Sequence, residues 1–143
     1  MNKTTIALKG KGGQGKSATI KLLRSLINST YPSAVETILI DGADVKVLFE
    51  INGIKIGIES QGDPKSRQAK SIADFIALNC DIIICSSRTS GSTVRTISNT
   101  QAHGYRIIWT TNYRSNHISH SALNDLSARH HLDLFDKVLL GTI

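Results

Sequence analysis

Gly10-Lys11-Gly12-Gly13-Gln14-Gly15-Lys16-Ser17 restricts what this chain can fold into more than any other stretch. It satisfies G-x-x-x-x-G-K-[ST] at every fixed position. At average residue usage such a match arises by chance in roughly one chain of this length in a few hundred, so the flanks decide its meaning. Thr4-Thr5-Ile6-Ala7-Leu8 before it is β-branched and apolar and reads as a buried strand. After it, Ile20, Leu23 and Ile27 recur at helical spacing, and Leu22 and Leu26 widen the apolar face. Between strand and helix, glycines let the backbone turn its N–H groups around an anion without Cβ clashes. The helix starting near Gly15 adds free amides and the positive end of its dipole. Lys16 is then placed to reach the β- and γ-phosphates of a nucleotide, and the Ser17 hydroxyl to ligate Mg²⁺. The plainer alternative is a glycine-rich turn before an ordinary helix.

Charge is informative only once it is located. The net charge is +6, yet residues 1–30 hold Lys3, Lys9, Lys11, Lys16, Lys21 and Arg24 and no acid, while the rest of the chain is balanced. A nucleic-acid surface usually shows a basic stripe with interleaved aromatics. Here the excess surrounds the glycine loop, where nucleotide phosphates account for it, and a small basic patch from Lys3, Lys21 and Arg24 is the other reading. No apolar run approaches the ~20 residues of a membrane span. The amino-terminal stretch lacks the pattern of a secretory leader, and Cys80 and Cys85 flank one strand, too far apart to bridge. Buried reduced thiols and a cytoplasmic location are expected, with all 143 residues in one domain.

The remaining pattern alternates as an α/β domain does. Thr37-Ile38-Leu39-Ile40 reads as a second buried strand ending on Asp41. Residues 45–51 and 54–58 flank Asn52-Gly53, the strongest two-residue hairpin signal. Residues 65–78 form the clearest helix, and 81–85 a further strand. A polar loop over 86–92 and a weaker helix from Thr93 follow. Arg106-Ile107-Ile108-Trp109-Thr110 is the last strand, and from Ile118 onward the apolar spacing suggests helices broken near His130. The expected fold is therefore a three-layer αβα domain with a mostly parallel sheet and one antiparallel edge hairpin.

In such sheets chemistry gathers beyond the carboxyl ends of the strands. Glu59 stands where an acid would hold Mg²⁺ through water or polarise the attacking water, in a strand expected beside the glycine loop. Gln61 is placed to orient that water, and Asp41 to hold a metal-bound water or an acceptor hydroxyl. Each also reads as a plain surface group at a loop. Arg67 and Arg88 are the candidate transition-state cations, since phosphoryl transfer spreads charge that a guanidinium stabilises, and as loop arginines both also read as plain surface residues. Asn112, at the tip of the last strand, is placed to touch a base. His117, His120, His130 and His131 have spacings compatible with a metal, but a solvated helical face is the preferred reading.

Lys11-Gly12-Gly13-Gln14-Gly15-Lys16-Ser17 resembles the deviant Walker A loop, K-G-G-x-G-K-[ST], of the partition, division-site and nitrogenase-reductase-like ATPases within the P-loop NTPases. That resemblance implies ATP and Mg²⁺ as ligands, nucleotide contact by Lys11 across a homodimer, and help in hydrolysis from Asp41. The hairpin before Glu59-Ser60-Gln61-Gly62 is similar to that of the Ras-like GTPases, whose D-x-x-G falls there. Their N-K-x-D is replaced by Thr111-Asn112-Tyr113-Arg114, which favours ATP over GTP. The expected function is an ATP-binding, Mg-dependent NTPase acting as a switch or with a protein partner. A kinase, with a lid over residues 86–95, and a nucleotide-binding adaptor with negligible turnover are the alternatives.

Overall fold

Alternate residues of β1 (Thr4–Lys9) feed two cores, which explains why the strand reads as continuously apolar. In the computed structural model, which describes residues 1–143, Ile6 and Leu8 join Ile20, Leu23 and Ile27 of α1 (Lys16–Thr30) and Phe135 and Val138 of α4 (His120–Leu140). Ala7 joins the second cluster, with Ile72 and Phe75 of α2 (Gln68–Ala77) and Ile97 of α3 (Ser92–Ser98). The other strands are β2 (Val35–Asp41), β3 (Val45–Ile51), β4 (Ile54–Glu59), β5 (Ile82–Ser87) and β6 (Arg106–Thr110). A 3₁₀ turn (Asn99–His103) links α3 to β6. The chain is thus an α/β fold of four helices and one six-stranded sheet, ordered β2-β3-β4-β5-β1-β6. β3 runs antiparallel to both its neighbours, and the remaining pairs are parallel. No helix is long and apolar enough to cross a membrane.

The β3–β4 hairpin forms where expected. Asn52 and Gly53 take φ values of +50° and +81°, the left-handed pair that matches a two-residue turn to the twist of its strands. Gly57 in β4 has a packing reason instead. A Cβ there would lie 2.5 Å from Cγ of Phe75, so β4 and α2 approach as closely as the ring allows. Gly57→Ala is expected to cost about 1–3 kcal/mol through overpacking, read as a lower urea midpoint with an unchanged slope.

Four expectations change. β2 is an edge strand, not a buried one: Val35, Ile38 and Leu39 are 66%, 49% and 45% exposed. A short apolar run reads the same whether its strand lies central or outermost. The β2–β3 register also shifts between Ile38 and Ile40, a bulge of the kind that bends edge strands out of line. β5 intervenes between β4 and β1, so Glu59 is not on the strand beside the glycine loop. The helix expected from residue 65 starts at Gln68, because Lys65 sits at φ +56°. Finally, α4 runs unbroken for 21 residues from a Ser119 cap, whose Oγ accepts from Ala122 N–H.

Candidate phosphate-binding site

The loop between β1 and α1 is drawn tight by close approaches from the end of β5 and from α4. A Cβ on Gly12 would meet the Arg88 guanidinium at 2.9 Å, and one on Gly15 would meet Asn124 Oδ1 of α4 at 2.4 Å. Gly15 also takes φ +76° as it leads into α1, a conformation that L side chains rarely adopt. Gly10 N–H donates to the Ser87 carbonyl at the end of β5, which anchors the loop entrance to the sheet.

Lys16 is 7% exposed, and its ammonium donates to the carbonyls of Gly10 at 2.6 Å and Ser87 at 2.7 Å. Burial lowers its pKa from the ordinary lysine value, the nearby Arg88 lowers it further, and Asp63 opposes both. The ammonium therefore sits where an added negative charge would relieve its desolvation. Arg88 lies over Gly12 and is held by Asp63, Nε to Oδ1 at 2.9 Å.

Ser17 does not meet Glu59 or Asp41. Its hydroxyl donates to Asp44 Oδ1 at 2.7 Å, with the Ser60 carbonyl at 3.0 Å as a second acceptor. Ser60 Oγ donates to the same Asp44 oxygen at 2.8 Å and accepts from Val45 N–H at 2.8 Å. Asp44, half-buried in the β2–β3 turn, thereby joins the hairpin to the start of α1. Sequence reasoning missed it. Asp41-Gly42-Ala43-Asp44 offers two acids three residues apart, and only the first closes an apolar run. Asn124 was also missed, and no local pattern marks it.

The other expected residues divide. Glu59 is fully buried, and each of its oxygens takes two donors: Oε1 from Arg67 Nε at 2.7 Å and Ser71 Oγ at 2.6 Å, Oε2 from Arg67 Nη2 and Gln61 N–H, both at 3.1 Å. Its lone pairs are committed, and so is Arg67. Gln61 thus meets Glu59 through its backbone. Asp41 lies at the exposed end of β2, 3.8 Å from Arg24 and away from Ser17. The edge position of β2 carries it there. Of residues 86–95, the candidate lid, residues 92–95 belong to α3. Cys80 and Cys85 are buried free thiols, as expected, and burial pushes both pKa values up, that of Cys80 to about 11.

Asn112 does come to the loop: its Nδ2 donates to the Gln14 carbonyl at 2.9 Å, while its buried Oδ1 has no partner. Beside it opens a cleft of about 310 Å³, lined among others by Gly13, Gln14, Tyr113, Asn116, His120 and Asn124. The histidines do not form a solvated face throughout. His131 is buried between Ser127 O at 2.6 Å and Thr110 Oγ1 at 2.7 Å, whereas His130 pairs with the Tyr113 hydroxyl at 2.8 Å. Burial lowers the pKa of His131 from the ordinary histidine value.

The loop, Lys16, Ser17 with Asp44, Arg88 and the cleft beyond Asn112 converge at the carboxyl ends of β1, β5 and β6. Such a group can hold a chain of phosphates at one end and a planar, partly polar group at the other. Compared with known proteins, the chain matches no family model, no curated protein and no solved structure.

Proposed function

We propose that this chain is a three-layer αβα P-loop domain that binds ATP with Mg²⁺ and hydrolyses it slowly, as a switch or under the control of a protein partner. The observation that carries this reading is the Ser17 hydroxyl hydrogen-bonded to the Asp44 carboxylate, one residue from a buried lysine at the mouth of a glycine loop. A hydroxyl and a carboxylate oxygen 2.7 Å apart suit a hard cation that prefers oxygen ligands and keeps several waters. Ser17 and Asp44 would therefore hold Mg²⁺, Asp44 taking the place expected for Glu59 and Asp41. Bound there, the ion would neutralise charge on the phosphate oxygens.

The chain's own groups supply the rest. Backbone amides of residues 12–17 and the start of α1 bind phosphate oxygens. Lys16 exchanges its carbonyl partners for phosphate, and Arg88 leaves Asp63 to add a second cation on the same side. Tyr113, Asn116 and His120 offer the cleft for the base. One observation favours the adaptor as second reading. Glu59 and Arg67 are bound to each other, so turnover by the isolated chain is expected to be low.

Incubation with γ-labelled ATP and Mg²⁺ separates the possibilities. Free labelled phosphate identifies an ATPase, label on an added acceptor a kinase, and unaltered bound ATP an adaptor. Failure of the folded protein to bind ATP in a calorimetric titration overturns the proposal. Asp44→Asn should weaken Mg-ATP binding about tenfold and leave Mg-free ATP binding nearly unchanged, because only the metal contact loses its charge. Equal losses with and without Mg²⁺ would remove Asp44 from the metal site.

A further inference from the structure

Gln14, a variable position of the motif, points its side chain back into the loop. Its Oε1 accepts the Lys11 N–H at 3.0 Å and lies 2.6 Å from where a Cβ on Gly10 would stand. Cδ of Lys16 is 3.4 Å from that same point, so the carboxamide oxygen and the lysine stem both crowd Gly10 at the loop's mouth. The Lys16 ammonium is meanwhile turned to the carbonyls of Gly10 and Ser87. A backbone amide and the cation of the loop are thus both satisfied by the chain itself. Gln14 is in turn gripped from the segment just after β6, where Asn112 Nδ2 holds its carbonyl, and it lines the cleft with Gly13, Tyr113 and His120.

We infer that Gln14 is a chain-borne stand-in for a phosphate oxygen, which keeps the loop self-occupied until a nucleotide displaces it. This rests on the phosphate-binding reading of the loop. A neutral amide oxygen is a weaker acceptor than an ionised phosphate oxygen, so the exchange runs toward the ligand, at the cost of the bond that is broken. Because Gln14 also lines the cleft, a nucleoside entering there meets the residue that must move. Inorganic pyrophosphate has no such help. The resting loop therefore discriminates against bare phosphates and in favour of complete nucleotides.

Calorimetric titration of pyrophosphate and ATP into the wild type, Gln14→Ala and Gln14→Glu at pH 8 tests this, with amide hydrogen exchange at Lys11 in the ligand-free proteins. Gln14→Ala should bind pyrophosphate about three- to tenfold tighter, gain less for ATP, and exchange the Lys11 amide faster. Gln14→Glu, which puts an anion in the cradle, should bind both ligands at least about tenfold more weakly. Unchanged or weaker pyrophosphate binding by Gln14→Ala, or an unaltered Lys11 exchange rate, overturns the stand-in role and leaves the phosphate-binding reading intact if the wild type binds. If none of the three folded proteins binds either ligand, the phosphate-binding reading fails and takes the role of Gln14 with it.

Discussion

Lys16→Ala is expected to weaken ATP binding by about 2–4 kcal/mol, roughly thirtyfold to a thousandfold, the usual cost of truncating one partner of a desolvated charge pair. The size follows from where the ammonium lies. It is almost fully buried, its pKa is lowered chiefly by that burial, and its present partners are two neutral carbonyls. A triphosphate would give it the charge it lacks. The substitution also releases the Gly10 and Ser87 carbonyls, but Gly10 N–H still donates to Ser87 O, so the loop keeps its anchor to β5. A thermal melt of the variant should show a cooperative transition. Titration of ATP into both proteins measures the effect, and equal affinities would remove the loop from any account of this chain.

The strand–loop–helix unit was legible because its signals are local. Two periodicities and a glycine run lie within thirty residues, and no distant contact is needed to read them. The Asn52-Gly53 turn was legible for the same reason, since its two positive φ values are a property of two residues. What escaped the sequence was whatever depends on who lies next to whom. β2 carries the apolar run of a central strand, but its place at the sheet edge is decided by β3 and β4 folding back as a meander. That choice moves Asp41 out to Arg24 and brings Asp44, at the turn, under Ser17. Residue types alone do not rank two acids three positions apart. His131 shows the same limit on α4. Histidines in a polar helix read as solvated, yet Thr110 of β6 and the Ser127 carbonyl satisfy both its ring nitrogens.

Glu59 is where the two levels of reading part most sharply, and the difference can be measured. As an isolated acid at a strand end it suggests a catalyst, whose conversion to glutamine would cost turnover and spare the fold. In the structure it accepts four hydrogen bonds at zero exposure and joins β4 to the start of α2 through Arg67 and Ser71. Glutamine keeps the shape but turns one acceptor oxygen into an NH₂ group that faces donors. Glu59→Gln is therefore expected to lower stability by about 3 kcal/mol, as breaking a buried ion pair from one side does. Arg67→Gln should cost at least as much, because it leaves the carboxylate, at zero exposure, without its counterion, whereas Arg67 is 26% exposed. The double variant should be less destabilised than the sum of the singles, by about 1–3 kcal/mol, since Glu59 and Arg67 touch. Urea unfolding of the four proteins reads all these values. Wild-type stability in Glu59→Gln, together with a hundredfold loss of single-turnover hydrolysis, would return Glu59 to the reaction and leave Asp44 with the metal alone.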